Sequence, residues 1–175
     1  MEIRPIRPDE YDTLGQITVE AYRNLQRDTR YGDYEKELMA VAARAVDSVV
    51  LVAVDGDEVV GGVTYVPDAE RSMSEFSDPD AAGIRMLAVR PDCQGAGVGK
   101  ALTAACIEQA RADGRSRILL HSTEVMQVAR EMYRRMGFVE VPELDRWVLR
   151  SPGPDLRLIA FALALNDLGS PATAP

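Results

Sequence analysis

The chain has few residues of the kinds that build disulfide frameworks, metal centres and membrane spans. It holds two cysteines, Cys93 and Cys106, and one histidine among 175 residues. Two cysteines are too few for a disulfide framework or a four-ligand metal site, so we expect reduced thiols and no bound metal. No apolar run approaches the roughly 20 residues that cross a bilayer, and the first residues lack a signal-peptide pattern. These absences predict a cytoplasmic protein without membrane contact.

Positive charge is also scarce. The 20 Lys and Arg residues stand against 28 Asp and Glu residues, which gives a net charge of −8. A nucleic-acid-binding protein normally presents a basic patch, so we expect no nucleic-acid partner. With 46% hydrophobic residues, the chain is long enough to bury one core. We therefore expect a single domain over residues 1–165 and a frayed tail over residues 166–175.

The most informative segment that is present runs from residue 84 to residue 103. Ile84 to Val89 is an apolar run typical of a buried strand, Pro91 ends it, and a helical pattern continues through Arg111. Between them stands the sequence Gln94-Gly95-Ala96-Gly97-Val98-Gly99-Lys100. A glycine-rich turn between a strand and a helix directs several free N–H groups at one point, and the helix dipole strengthens their attraction for anions. The segment predicts a phosphate or pyrophosphate site.

Spacing separates three kinds of phosphate-binding loop. The P-loop requires Gly five residues before the Gly-Lys pair and Ser or Thr after it, where this chain has Gln94 and Ala101. The dinucleotide fingerprint fails from either starting glycine, because its last position is not glycine. A third pattern, (Gln/Arg)-x-x-Gly-x-(Gly/Ala), is matched by Gln94, Gly97 and Gly99. A solvated glycine-rich turn without a ligand is the alternative.

This third pattern, with the preceding Leu87-Ala88-Val89-Arg90-Pro91, resembles the acetyl-CoA pyrophosphate loop of the GNAT N-acetyltransferase superfamily. The resemblance implies that acetyl-CoA is the cosubstrate, with its pyrophosphate at the loop and its pantetheine arm along the strand before it. The implied cofactor-binding residues are Met86, Leu87, Ala88, Val89, Gln94, Gly95, Ala96, Gly97, Val98, Gly99 and Lys100.

The order of predicted elements carries the same resemblance over nearly the whole chain. Apolar periodicity and turn residues predict the order β-α-α-β-β-β-α-β-α-β-β, with loops at residues 24–32 and 67–79 and a loop or irregular strand pair at residues 142–154. The predicted strands cover residues 2–7, 49–54, 59–66, 84–89, 116–122, 138–141 and 156–163, and the second and last helices cover residues 33–46 and 125–136. The order is similar to that of GNAT proteins. It implies an α/β (α+β) fold with a central mixed β-sheet, splayed parallel strands and flanking helices.

A second signature lies near the end of the last helix, where Tyr133 stands four residues before Gly137-Phe138. It is similar to a GNAT pattern in which the tyrosine hydroxyl protonates the departing CoA thiolate, a step that needs a proton donor in a semi-enclosed site. Tyr133 also belongs to an apolar stripe, so a purely structural place in the core is the alternative. The stripe consists of Val125, Val128, Ala129, Met132, Tyr133 and Met136. The single tryptophan, Trp147, is expected to close the core.

The sequence does not identify a general base. Many GNAT members place a glutamate on the strand before the loop, near Gly83 here, but no carboxylate occurs from residue 81 to residue 89. The candidates are His121, Glu124 and the acids of residues 68–78, a segment expected to be a mobile surface loop. The sequence is also compatible with proton removal through a water relay, or with an acceptor amine that is already neutral when it binds.

The resemblance implies an acetyl-CoA-dependent N-acetyltransferase in which a primary amine attacks the thioester directly in a ternary complex. The alternative is a non-catalytic acyl-CoA-binding or regulatory module, favoured by the missing strand carboxylate. The acceptor is expected to be a small-molecule or peptide amine, and the net charge favours a neutral or cationic one over an anionic one. The chain is compatible with a monomer or a homodimer.

Overall fold

A computed structural model describes residues 1–25, 33–149 and 155–165 of the chain, and within them eight strands form one sheet. Its order is β1-β2-β3-β4-β5-β8-β6, and β7 pairs with β8. Among the described strands only β4 and β5 are parallel neighbours. The strands are β1 (Glu2–Pro5), β2 (Val49–Asp55), β3 (Glu58–Val66), β4 (Ala81–Val89), β5 (Arg117–Thr123), β6 (Val139–Glu140), β7 (Arg146–Val148) and β8 (Leu156–Ala164). The expected mixed sheet is confirmed.

Helices cover both faces of this sheet. The helices are α1 (Tyr11–Leu25), α2 (Asp33–Met39), α3 (Val41–Arg44), α4 (Val98–Ala112) and α5 (Gln127–Arg135). Helices α1, α2 and α3 pack on one face, and α4 and α5 pack on the other. None of the helices in the described part of the chain is long and apolar enough to span a bilayer.

The central strands are buried on both sides, which explains their nearly continuous apolar sequences. In β2, Val50 and Val52 pack towards α1 whereas Leu51 and Ala53 pack towards α4. Side chains alternate along a strand, so a strand between two helical layers requires apolar residues at every position. On β3, Gly62 lies so close to α1 that a Cβ there would stand 2.5 Å from Leu14 Cδ1.

The helix predicted over residues 33–46 is instead two helices, α2 and α3. The break falls at Ala40, whose φ of −77° and ψ of 57° lie outside the helical region. The break turns the second piece, so Ala42 is exposed and Arg44 is buried. The burial of Ala42 was therefore wrongly predicted, while Leu38 and Val41 are buried as expected.

The loop predicted at residues 67–79 and the core position predicted for Trp147 need correction, whereas the short strand within residues 142–154 agrees with one of the two predicted alternatives. Residues 67–80 contain no helix or strand, but Met73 is buried in the core and Glu75 is hydrogen-bonded to His121, so a surface loop describes only part of the segment. Residues 142–149 contain a 3₁₀ turn at Pro142–Leu144 followed by β7. Trp147 lies on that short outer strand and is 64% exposed, so its predicted place in the core is wrong.

Some predicted segments cannot be compared. Helix α1 continues to Leu25, two residues into the loop expected at residues 24–32, and the remainder of that loop lies outside the described residues. Residues 150–154 and the tail expected at residues 166–175 also lie outside them.

Candidate active site

The two parallel strands separate part-way along the sheet and leave a gap between them. They pair from Ala81↔Arg117 to Ile84↔Leu120 and no further. Beyond that fork, β4 remains paired with β3 as far as Val89, and β5 remains paired with β8 as far as Thr123. Backbone groups of residues 85–89 that face β5 therefore have no strand partner, and buried amides of this kind need a partner from elsewhere.

A bulge in β4 lies immediately beyond the fork. Gly62 pairs with Ala88 and Thr64 with Arg85, so two steps on β3 match three on β4. The extra residue accompanies Met86, which has a φ of 52° and is the one non-glycine residue with positive φ in the described chain. Such a conformation is costly for a residue with a Cβ, and bulges of this type are common beside active sites.

The gap leads to the predicted phosphate loop at the amino end of α4. Gly95 and Gly97 have φ values of 82° and 86°, which glycine adopts without strain. The first helical hydrogen bond runs from Ala101 N to Gly97 O, so the preceding amides of the first turn have no helical acceptor. A Cβ built at Gly97 meets no atom within 4 Å, which shows open space in front of the loop. Unpaired amides beside open space suit an anion such as pyrophosphate.

The other predicted loop residues differ in their surroundings. Gln94 Nε2 donates a hydrogen bond to Val89 O at 3.3 Å, which ties the loop to the end of β4. Ala96 and Lys100 are exposed beside this loop, whereas the Val98 side chain is buried in the core. Only the backbone of Val98 is therefore placed to face a ligand at the loop.

Tyr133 reaches the sheet from α5 and is only 5% exposed. Its ring packs on Phe138 and Phe161, with ring centroids 5.6 and 6.0 Å away. Burial raises the pKa of Tyr133, and the nearby Cys106 thiol raises it further. The hydroxyl therefore keeps its proton at neutral pH. The predicted apolar stripe around it is only partly correct, because Val125 and Val128 are exposed.

Tyr22 extends towards the same region from the opposite face of the sheet. It lies on α1 and packs with Tyr34 of α2, their ring centroids 6.2 Å apart. Burial raises the pKa of Tyr22, and the phenols of Tyr34 and Tyr133 raise it further. The two tyrosines Tyr22 and Tyr133 therefore interact electrostatically although their helices pack on opposite faces of the sheet.

A charged cluster stands at the fork on the α1 and α2 side. Arg85 and His121 directly follow the last parallel pair on their strands. Glu75 Oε2 lies 3.0 Å from His121 Nδ1, and Glu75 Oε1 lies 3.3 Å from Arg85 Nη2. Arg85 also lies 3.6 Å from Glu37 Oε1, and the ring of Phe76 stacks on His121 at 4.4 Å.

The partners of His121 determine what it can do in this arrangement. Its Nε2 lies 3.1 Å from the carbonyl oxygen of Leu144, and its Nδ1 faces the Glu75 carboxylate. Both ring nitrogens of His121 therefore lie within hydrogen-bond distance of an acceptor oxygen, and the ring is held between two segments of the chain. Burial raises the pKa of Glu75, but the His121 hydrogen bond and the Arg85 charge lower it more, and the net pKa is below its usual value. Neither group is therefore an uncommitted proton acceptor.

The other candidates for the general base are either exposed or already paired with arginines. Glu124 is exposed on the turn after β5. Asp68 is paired with Arg71 and Arg115, and Asp78 is paired with Arg117. A cleft of about 380 Å³ opens beside Glu75 on this side of the sheet, between residues 75–78 and residues 143–146, and Leu119 lies at its base.

Several residues at the fork were not predicted from the sequence. Arg85 interrupts an apolar run, which is a visible signal, but its partners come from segments far along the chain. Arg44 stands three residues after Val41, on the face that the helical pattern predicts to be buried. Tyr22 gives no comparable signal. Within the described residues, no cluster of three or more His, Cys, Asp or Glu side chains has the arrangement of a metal site.

Comparison with known protein families shows to which family the chain belongs. The family model described as the Acetyltransferase (GNAT) family matches residues 14–138. The chain belongs to the GNAT acetyltransferase family. The matched region contains the fork, the glycine loop and Tyr133, and membership identifies the protein as an acyltransferase. No curated protein sequence matches it.

Solved structures show the same fold. The GNAT domain is similar to yncA, a putative acetyltransferase from Salmonella typhimurium solved with its cofactor acetyl-CoA, at 20% identity and a TM-score of 0.70, covering 99% of both chains. A GNAT acetyltransferase from Staphylococcus aureus Mu50 gives 15% identity and a TM-score of 0.73, covering 94% of this chain and 99% of that one. The ribosomal-protein-S18-alanine N-acetyltransferase from Escherichia coli gives 18% identity and a TM-score of 0.69, covering 97% and 96%. At these identities the likeness establishes the fold alone.

Proposed function

We propose that this GNAT protein is an acetyl-CoA-dependent N-acetyltransferase that transfers an acetyl group to a primary amine by direct attack in a ternary complex. The observation that carries the proposal is the gap between β4 and β5 beyond Ile84 and Leu120. The gap leaves one edge of β4 unpaired, and this edge leads to the phosphate loop. The helices that carry Tyr22 and Tyr133 pack on opposite faces of the sheet.

The residues at the gap suit acetyl-CoA. The amide-rich pantetheine arm matches the unpaired backbone edge of residues 86–89, where peptide-like groups find hydrogen-bond partners. The amides that open α4 and the nearby Lys100 suit the negatively charged phosphates. Their open surroundings leave room for the ligand.

Tyr133 is the group proposed to supply a proton. Bound acetyl-CoA supplies the thioester that the amine attacks, and the departing sulfur needs a proton. Because burial raises the pKa of Tyr133, its Oη still holds a proton at neutral pH. No other described residue is hydrogen-bonded to this hydroxyl, which leaves it available to a ligand in the gap.

The charged cluster at the fork is assigned to shaping the acceptor site. Through His121, it joins the loop at Glu75 to the backbone of Leu144. It thereby fixes the wall of the cleft on the acceptor side. We place the acceptor on this face, opposite the helix that carries Tyr133.

The direct test is release of free CoA from acetyl-CoA by the purified protein, with and without a panel of polyamines, aminoglycosides, amino acids and peptides with free amino termini. We expect at least one amine to accelerate release well above the background rate. Binding of acetyl-CoA without turnover by any amine would instead support the non-catalytic acyl-CoA-binding module.

A further inference from the structure

Arg44 is a buried cation on the acceptor side of the sheet. It ends α3 and is only 2% exposed. Its Nη1 lies 2.7 Å from Met86 Sδ, and its Nη2 donates to Leu38 O at 3.2 Å. Its Nε has no hydrogen-bond partner. A thioether sulfur is only a weak acceptor, so most of the hydrogen-bonding capacity of this guanidinium is poorly used.

Arg44 also has no direct ion-pair partner in the described part of the chain. No carboxylate of the described residues lies within 4.0 Å of its guanidinium, and its hydrogen bonds go to Met86 and Leu38. Burial lowers the pKa of Arg44, and the more distant Glu37 carboxylate and the phenols of Tyr22 and Tyr34 offset only part of that effect. A buried charge without a partner is costly, and buried arginines are normally paired with carboxylates.

The location of Arg44 connects it to the fork. Met86, which it contacts, is the bulged residue of β4 beside the gap. Leu38 and Met86 share a cluster with the phenol rings of Tyr22 and Tyr34. On this face, Arg44 and Arg85 lie near the carboxylates of Glu37 and Glu75, and both of those carboxylates are paired with Arg85.

We propose that Arg44 binds a carboxylate of the acceptor, and hence that the acceptor is a small amino acid or a similar molecule with an amine and a carboxylate a few bonds apart. The inference rests on the proposed function, since it names the substrate class of the same site. The flexible Met86 side chain occupies the place of the carboxylate in the free protein and moves aside when the acceptor enters. A carboxylate gives the guanidinium charge-assisted hydrogen bonds that sulfur cannot give.

A different role for Arg44 is to hold the bulge at Met86 in its strained conformation. The two roles predict opposite effects of Arg44→Met on stability. If the guanidinium only clamps the bulge, its removal lowers the melting temperature and weakens acetyl-CoA binding. If it awaits a ligand, removing an unpaired buried charge leaves the melting temperature unchanged or raises it, and acetyl-CoA binding is unaffected.

The test compares acids with matched amides. Calorimetry with CoA present measures binding of the N-acetyl derivatives of the twenty common amino acids and of the corresponding N-acetyl amino acid amides. We expect at least one acid to bind at least about tenfold more tightly than its amide, the size of one charge-assisted interaction. Arg44→Met should abolish this preference. Measurements on the wild-type protein alone can overturn the inference. They do so if acids and amides bind equally well, or if no acid binds.

Two further measurements complete the experiment. Arg115 is the matched control, because its Nε is also buried without a partner but its charge is paired with Asp68. Arg115→Met should lower the melting temperature and keep the acid preference. Turnover of free amino acids and their amides is measured in parallel. Acetylation of amides but not acids refutes the acceptor class while the transferase function stands, whereas acid binding without any turnover refutes the transferase function alone.

Discussion

Tyr133 is a core residue by its packing, and we propose that its hydroxyl also supplies the proton in the reaction. Its ring packs against Phe138 and Phe161, as expected for a core residue. Burial raises the pKa of Tyr22 and the Tyr133 phenol raises it further, so the two side chains interact electrostatically. The structural and the proposed chemical role are compatible, because the ring can serve packing while the hydroxyl, which has no hydrogen-bond partner among the described residues, serves the ligand.

Replacing Tyr133 by Phe should separate these two roles. The ring and its packing remain, so stability should hold, while kcat should fall by roughly 10²-fold because the proton donor is lost. The affinity for CoA should barely change, since the lost interaction matters mainly as charge develops on sulfur. Steady-state kinetics with any active amine, together with thermal unfolding, measures both effects.

Tyr65→Phe is the matched control for this substitution. Tyr65 is fully buried, and its hydroxyl donates to Asp113 at 2.6 Å, at the other end of the sheet. Its loss should cost stability without changing kcat. An unchanged kcat in Tyr133→Phe would return Tyr133 to a purely structural role, and a loss of CoA binding would make it a cofactor contact.

Residues whose roles follow from local sequence could be predicted, and those defined by distant partners could not. Gly95 and Gly97 have the positive φ values that a glycine-rich turn suggests. His121 was recognised as a candidate, but its two hydrogen-bond acceptors come from residues 75 and 144. No local pattern announces such contacts, because tertiary packing alone brings the three segments together.

At the scale of elements, the same distinction holds. The strand, turn and helix of residues 81–112 were predicted closely, since proline and glycine mark their boundaries. The break at Ala40 has no such marker, and apolar spacing continues across it. The bulge at Met86 was not predicted either, because it arises from mismatched pairing between β3 and β4.

The start of α1 gives a prediction at this scale. Glu10 accepts hydrogen bonds from Arg4 at 2.9 and 2.5 Å and from Arg7 N at 2.8 Å, which joins β1 to the first turn before the helix. The hydrogen bonds from Arg4 lower the pKa of Glu10 to about 2 from an ordinary value of 4.5. Glu10→Gln should therefore lower the free energy of unfolding at pH 7 by about 1 kcal/mol.

The pH dependence of this effect has a definite sign. A carboxyl whose pKa is lower in the folded state stabilises the fold above its unfolded pKa, and that contribution is lost as the pH falls towards 2. Urea unfolding of Glu10→Gln and wild type from pH 7 to pH 2 should show converging stabilities. Asp9→Asn is the control, since Asp9 is exposed in the same turn. A difference that stays constant down to pH 2 would refute the role of the Arg4 pair.

At the scale of the whole molecule, the net charge and the charged groups at the fork favour different acceptors. The chain carries −8 overall, which favoured a neutral or cationic acceptor. The fork nevertheless concentrates Arg44, Arg85 and His121 among two carboxylates, and our further inference points to an anionic group on the acceptor. Bulk charge reports mainly on solvated surface, whereas a few buried groups determine the field inside a site.

The two cysteines provide a whole-molecule prediction. Both are free; Cys106 is buried, and burial raises the pKa of its thiol to about 12, while Cys93 is half-buried beside Arg90. Thiol titration of the unreduced protein should find two thiols per chain when it is unfolded. In the native state only Cys93 should react readily, because a buried, protonated thiol is a poor nucleophile. Finding no free thiol in the unfolded chain would contradict the expected reducing, cytoplasmic setting.

The central claim is that acetyl-CoA binds along the gap with its pyrophosphate at the loop that contains Gly97. Calorimetric titration of wild type, Gly97→Val and Gly56→Val with acetyl-CoA tests it most directly. Both glycines have positive φ and open space at the Cβ position, but Gly56 lies in the turn between β2 and β3. We predict binding by wild type and Gly56→Val and its loss in folded Gly97→Val, because a side chain there strains the loop and fills the phosphate space. Failure of the wild type to bind, or unchanged affinity in Gly97→Val, would contradict the claim.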